Sequence, residues 1–405
     1  MSKSNFFTGQ PIFSQLLNLI PRHIVADVSQ ELKADRYCKK FTTYEHLVTF
    51  LFAVFNNCSS LREVTTGMLA WEQRIKHLGM KHFPRRSTFS DANQRRSEQV
   101  FEQIYLRLYN RFAPFLSDSR PGSKASRLYI FDSTTISLFQ EVLKGSGLSK
   151  QDGRRKGGIK VHTLMRFDQD VPCMACFSPG AANDTRFLKK VQLPAGSTLV
   201  FDRGYRDYSV FNQLTADGIT WVTRLPTLHS LQTTKQRPVE LLQQQQGVLE
   251  DQEIVLGHNW SKPVPKVPCR LIDYKDPDSG KALRFITNNF KLEPATVAQY
   301  YKKRWQIEVL FKRLKQHCPL QYFLGDTENA IKIQIWCSLI ADLLLKVIGK
   351  GARCKWSFSN LAAMVRLHLM TYLDIAQFLK SPEKALLNKI KNHGKTSQCN
   401  LFAPT

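Results

Sequence analysis

The chain has 405 residues, enough for two to three domains of ordinary size. A composition of 42% hydrophobic and 11% aromatic residues excludes a disordered chain and allows a sizeable core. The 58 basic residues against 33 acidic ones leave a formal charge of +25, which repels itself unless a polyanion compensates; nucleic acid or an anionic membrane surface is the expected partner.

The first ~115 residues read as helical. Phe13, Leu16, Leu17 and Ile20 have helical spacing before Pro21, and Thr43 to Phe55 is an apolar-rich helix with Thr42, Thr43 and Glu45 as capping residues. A turn at Arg85 to Asp91 leads into a further helix carrying Arg95, Arg96, Arg107 and Arg111. Residues 1–116 hold a net +7 and residues 291–405 a net +11, so the charge describes an extended surface rather than a tail. Two readings of 1–116 stand: a DNA-binding module, or a helical cap that only packs on its neighbour. Residues 117–126 are a linker by composition.

The pattern then changes. Leu128 to Phe131 and Leu199 to Phe201 are short continuous apolar runs, as expected of strands buried on both faces. Lys160 to Phe167 alternates like a strand after Gly157-Gly158, Asp184 to Leu193 has the pattern of a helix, and Ile219 to Thr223 reads as a strand; interleaved strands and helices mean an α/β sheet. Residues 227–290 read as a β-rich insertion, with candidate strands at Cys269 to Asp273 and Leu283 to Thr287. One long helix, Pro294 to His317, is expected next, and helices beyond it. The apolar stretch Ile331 to Ile348 contains Lys332, Gln334, Asp342 and Lys346, which fits a buried helix better than a membrane span. Nine scattered cysteines with no signal peptide before them imply reduced thiols in a cytosol. Cys173-x2-Cys176 has no second ligand pair nearby and reads as packing.

Both apolar runs end in an aspartate, Asp132 and Asp202. On neighbouring strands the two carboxylates would repel unless a divalent cation lay between them, and carboxylate oxygens are hard ligands suited to Mg²⁺ or Mn²⁺. On the helix at 294–317, Tyr301, Arg304, Glu308 and Lys315 fall within about 60° of one another at 100° per residue, along roughly 21 Å of axis. Ile307, Leu310, Phe311 and Leu314 form the adjoining core stripe. Arginine and lysine can hold phosphates, and glutamate can complete a metal site. The same stripe also suits a solvated face with an Arg304–Glu308 pair.

Tyr301-x2-Arg304-x3-Glu308-x6-Lys315, with Asp132 in Ile-Phe-Asp-Ser-Thr and Asp202 in Val-Phe-Asp-Arg-Gly-Tyr, resembles the DDE transposases of the bacterial insertion-sequence group that carries a Tyr-Arg-Glu-Lys signature. The resemblance covers 127–340, and Phe7 to Phe13 is similar to an amino-terminal domain that accompanies some of these enzymes. It implies an α/β fold: an RNase H-like catalytic core in two parts, 127–226 and 291–345, a β-rich insertion at 227–290, an all-helical domain at 1–116 and C-terminal helices at 346–405. It implies Asp132, Asp202 and Glu308 as the catalytic residues holding two Mg²⁺ ions, with Mn²⁺ able to substitute. Tyr301, Arg304 and Lys315 become DNA contacts. The implied activity is cut-and-paste transposition, in which ends are cleaved and joined to target DNA by 3′-hydroxyl attack. The implied partners are double-stranded DNA (terminal inverted repeats and target) and a second copy of the chain in the DNA complex, in a bacterial cytoplasm at the nucleoid, with no membrane and no nucleotide cofactor. A nuclease of the same fold without strand transfer, and an inactive transposase-derived DNA-binding protein, are the alternatives. The tryptophan that some members carry upstream of the signature tyrosine is not matched; Gly280 stands in that neighbourhood and Trp260 is the nearest, which leaves a hairpin or another cleavage intermediate open.

Two weaker features complete the reading. Arg154, Arg155, Lys156 and Lys160 flank Gly157-Gly158 in an expected hairpin that either approaches a DNA phosphate or merely solubilises a turn. Gly153-x4-Gly158 lacks the lysine of a P-loop, because Ile159 stands there. His162 reads as structural.

Overall fold

The computed structural model describes residues 9–117, 127–137, 158–182, 184–225, 232–257, 265–317 and 322–387. Along the chain the helices α1 (Ile12–Leu17), α2 (Arg22–Glu31), α3 (Thr43–Asn56), α4 (Leu61–Leu69), α5 (Arg86–Arg95) and α6 (Glu98–Leu116) come first. Strands β1 (Leu128–Ser137), β2 (Gly158–Arg166) and β3 (Val171–Pro179) follow, then α7 (Thr185–Leu188), β4 (Thr198–Phe201), α8 (Tyr208–Ala216) and β5 (Thr220–Arg224). Next come β6 (Gln232–Gln236), α9 (Leu241–Gln245), β7 (Val248–Leu256), β8 (Val267–Lys275) and β9 (Ala282–Thr287). Helices α10 (Pro294–Lys303), α11 (Trp305–His317), α12 (Glu328–Gly351), α13 (Phe358–Leu367) and α14 (Ile375–Lys380) end the described chain.

These elements form two compact units, one of residues 1–116 with 313–405, the other of 117–312. The first is helical. Its α3 begins where the sequence says it should: the Thr42 hydroxyl accepts from the Glu45 backbone N–H, and the Glu45 carboxylate accepts from the Thr42 N–H at 2.8 Å. The buried helix α12 packs on α3 and α6 and carries Gln334, Ser338 and Asp342 inward, while Lys332 and Lys346 are half-buried. Asp342 accepts two hydrogen bonds from Arg313, at 2.6 and 3.1 Å, and Gln334 binds the Leu324 N–H at 2.9 Å, so these two buried polar side chains that interrupt the apolar stretch are satisfied inside the unit. Among the described residues no helix is long and apolar enough to cross a membrane. The N-terminal segment is tied to the C-terminal one, with Ile12 N–H donating to Thr371 C=O at 3.0 Å and Phe13 N–H to Leu369 C=O at 2.7 Å.

The second unit is built on one nine-stranded sheet, ordered β3-β2-β1-β4-β5-β9-β8-β7-β6. Strands β1, β4 and β5 are parallel, and the other pairings are antiparallel. Alternation assigns side chains to its faces. Leu199, Phe201 and Trp221 face α8, where the Trp221 ring stacks on Phe211 at 4.4 Å. Val200 and Val222 face the other way, under Val297, Ala298 and Tyr301 of α10. The strands of residues 227–290 belong to this sheet: β9 pairs with β5, Val222 opposite Thr287, and carries β8, β7 and β6 outward from it.

Four local expectations need correction. The helix expected over Pro294 to His317 is two helices, α10 and α11, joined at Arg304 by i→i+3 bonds, Arg304 N–H to Tyr301 C=O at 3.0 Å and Ile307 N–H to Arg304 C=O at 3.1 Å. The one helix expected after Arg85 is likewise two, α5 and α6, and Arg96 between them is buried. Its guanidinium binds Asp35 at 2.9 Å, His46 Nδ1 at 2.9 Å and the Phe41 carbonyl at 3.1 Å. The helix expected from Asp184 to Leu193 shrinks to the single turn of α7. Strand β1 does not stop at Asp132 but runs on to Ser137 along β2.

Candidate active site

Parallel pairing of β1 with β4 sets Leu128 beside Thr198 and ends with Phe131 beside Phe201. The next residue in each case is an aspartate, so Asp132, still paired with β2, and Asp202, just past the end of β4, lie side by side at the carboxyl end of β4, where neighbouring strands lie about 4.8 Å apart. After Asp202 the chain turns through a short 3₁₀ segment, Arg203–Tyr205. Tyr205 anchors this turn by burying its ring edge-on against Phe131 at 5.0 Å. That contact gives the Asp-Arg-Gly-Tyr sequence a packing reason.

Each aspartate is oriented. Asp132 Oδ1 accepts from the Ser133 N–H at 2.8 Å. Asp202 accepts from the Gly204 N–H at 3.3 Å and from the Tyr301 hydroxyl at 3.1 Å. Tyr301 is buried, its ring against Phe285 at 5.2 Å, and burial pushes its phenol up to about 12, so it is a donor at neutral pH. From the joint between α10 and α11, Arg304 donates through Nη1 to Asp132 at 2.6 Å and through Nη2 to Glu308 at 2.6 Å. Burial pushes the Asp132 carboxyl up to about 6; Arg304 opposes this, and the neighbouring charges of Asp202 and Glu308 add to it.

Five of the residues singled out by sequence therefore share one site: Asp132, Asp202, Tyr301, Arg304 and Glu308. Tyr301 and Arg304, expected at DNA, are occupied by the carboxylates in this state. Lys315 is exposed further along α11, in the first unit. Arg154, Arg155 and Lys156 lie outside the described residues, as does Trp260. Lys160 is engaged elsewhere, its ammonium held by Asp184 at 2.7 Å and the Ala182 carbonyl at 3.2 Å. His162 beside it is buried, stacked on Phe187 at 3.8 Å and bonded to the Ser178 hydroxyl at 2.8 Å; burial pulls its pKa down to about 4. Sequence reasoning passed over Arg224, whose guanidinium lies over the Tyr301 ring at 5.8 Å. Its position at the end of β5, next to β4, was the available signal.

Three carboxylates are a hard-oxygen donor set of the kind that takes Mg²⁺ or Mn²⁺. Among the described residues no three such side chains are gathered closely enough to hold an ion, and Asp132 and Glu308 each take one end of the same guanidinium. The donor chemistry of the three carboxylates fits a divalent cation.

A family profile described as the transposase DDE domain matches residues 123–344, and a domain of unknown function matches 8–81. A putative transposase of Sinorhizobium fredii is 28% identical over 300 residues, 74% of this chain and 81% of that protein. A putative transposase for an insertion sequence element of Synechocystis is 26% identical over 273 residues, 65% of this chain and 71% of that one. A cryo-EM structure of a piggyBac transposase synaptic complex with hairpin DNA aligns at 11% identity with a TM-score of 0.43, over 98% of this chain and 87% of that one.

Proposed function

The chain belongs to the transposase DDE-domain family, and on that premise we propose that it is a metal-dependent transposase of the Tyr-Arg-Glu-Lys group, cutting the ends of an insertion sequence and joining them to target DNA. The observation that carries this reading is the β1–β4 register, which sets Asp132 beside Asp202, together with Arg304, which links Asp132 to Glu308. The order β3-β2-β1-β4-β5, with β1 antiparallel to β2 and parallel to β4, supports an RNase H-like core.

Asp132, Asp202 and Glu308 would hold Mg²⁺, two ions in this reading, with Mn²⁺ able to substitute. When bound, the metal supplies Lewis-acid activation of a water or a 3′-hydroxyl and neutralises charge at the phosphodiester. The chain's own residues set the geometry. Tyr301 and the Gly204 N–H fix the carboxylate of Asp202, the Ser133 N–H fixes Asp132, and Arg304 and Lys315 supply cations for phosphates of the transposon end. End recognition falls to the helical region 1–116. Its support is a groove of about 590 Å³ lined by Lys33, Arg36, Tyr37, Lys39, Lys40 and Arg95, with all six exposed. Two copies of the chain would act together on paired ends.

The experiment is a strand-transfer assay with wild-type protein, Mg²⁺, a duplex carrying the terminal repeat and a target plasmid. The reading expects cut ends and covalently joined product. Cut ends without joined product would make the protein a nuclease, and no metal-dependent cutting would make it a DNA-binding protein only.

A further inference from the structure

We propose that Arg304 closes the carboxylate site in the DNA-free protein, and that a DNA phosphate opens it by drawing the same guanidinium away, so that divalent ions load after DNA. This rests on the transposase reading above and adds an order of events to it.

Three observations carry it. First, the guanidinium spans the two carboxylates that must come together on an ion, with 2.6 Å to Asp132 and 2.6 Å to Glu308. The guanidinium takes one oxygen of each, Asp132 Oδ2 and Glu308 Oε1, and sets a positive charge between the carboxylates, so it opposes a divalent cation there by charge repulsion and by competition for those two oxygens. Second, Arg304 is only partly satisfied where it is. Its Nε is buried and has no hydrogen-bond partner among the described residues, although both Nη atoms are bonded. A phosphate can accept from Nε and one Nη together, which the present partners do not do. Third, Arg304 sits at the joint between α10 and α11, where the regular i→i+4 ladder gives way to i→i+3 bonds. A residue at such a joint can change its side-chain direction without dismantling a helix.

The two anions thereby compete for one arginine. Without DNA the carboxylates hold it, and its charge offsets part of theirs. With DNA the phosphate holds it, and the carboxylates are left with uncompensated charge that only a cation relieves. Binding is then reciprocal, with DNA tightening metal binding by the factor by which metal tightens DNA binding.

The test is Mn²⁺ binding followed by electron paramagnetic resonance, using full-length protein alone and saturated with a duplex carrying the terminal repeat, with the duplex alone as the blank. Wild-type protein should bind Mn²⁺ about tenfold or more tightly with the duplex present, within the usual range of coupling between sites. Arg304→Gln should bind Mn²⁺ without DNA as tightly as the wild-type complex does, and DNA should add little. If wild-type protein binds Mn²⁺ equally well with and without the duplex, the gate is wrong, whether or not the variant folds. Asp132→Asn added to Arg304→Gln separates this from the underlying reading. Loss of Mn²⁺ binding there upholds the carboxylate site, while unchanged binding overturns that site and the transposase reading with it.

Discussion

Tyr301 lies between two roles, because its hydroxyl reaches Asp202 while its ring is packed in the core. A phenol held in this way positions a carboxylate. Tyr301→Phe keeps the ring contact with Phe285 and removes only the hydrogen bond, whose loss to a charged acceptor is worth about 1.5–3 kcal/mol. The variant should fold normally, bind terminal-repeat DNA like wild type and cut it roughly tenfold or more slowly. A fall in DNA affinity at unchanged cutting rate would show the hydroxyl at DNA instead. His162 marks a different residue-scale effect. Its pKa is pulled down to about 4 by burial, so the folded protein keeps it neutral while the unfolded chain protonates it near its ordinary value. The unfolded state then binds the extra proton, and stability is full above about pH 6.5 and declines as pH falls towards 4. His46, buried against Arg96 and also pulled down, acts in the same direction. Urea unfolding of wild type and His162→Phe at pH 7 and pH 5 checks this, with a smaller loss at pH 5 expected for the variant. An equal loss in both would remove His162 from the account.

The segment between α2 and α3 is the element that best joins the charge of the chain to a surface. Lys33, Tyr37 and Phe41 have positive φ angles of 51°, 65° and 59°, conformations that L-residues adopt only when their surroundings impose them. Arg96 ties the segment down through Asp35 and the Phe41 carbonyl, and the cations of the segment are exposed. Replacing Lys33, Arg36, Lys39 and Lys40 together by alanine should weaken binding of terminal-repeat and random duplexes alike, and should flatten the slope of log affinity against log salt by about 0.9 for each lost phosphate contact. An unchanged slope would take this groove out of the DNA interface. Strands and helices differ in how far the sequence exposes them. The β1, β4 and β5 strands are legible as short apolar runs because both their faces are covered, and α3 is legible from its capping box. The place of β6 to β9 in the main sheet is not legible, because strand patterns mark which faces are buried and carry nothing about the pairing partner. The break at Arg304 escapes for a similar reason: residues 294–317 contain no internal proline or glycine to signal it, and the contact made there, from the guanidinium to Asp132 on β1, is tertiary.

At the scale of the whole molecule, the candidate site gathers residues far apart in sequence: Asp132 and Arg304 are separated by 172 positions and Asp202 and Tyr301 by 99. Spacing and strand context leave the members of the site open, and the family resemblance names them; the internal wiring is not legible, since nothing in a helical stripe says that Tyr301 and Arg304 turn towards carboxylates. The C-terminal helices share a compact unit with the N-terminal ones, as Ile375 N–H bonded to the Gln15 side chain at 3.0 Å illustrates. Terminal truncations therefore expose apolar faces of α12 and are poor tools for assigning function. Amide substitutions within the site are cleaner, because they preserve shape and remove one charge each. The most direct measurement is cleavage of a terminal-repeat duplex in Mg²⁺ by Glu308→Gln, Asp132→Asn and the double variant, with binding of the same duplex as control. All three should bind the duplex, each single variant should cut at least about a hundredfold more slowly than wild type, and the double variant should be little worse than either single one, since groups that act as a unit fail as a unit. Cutting by Glu308→Gln at near the wild-type rate would contradict the account.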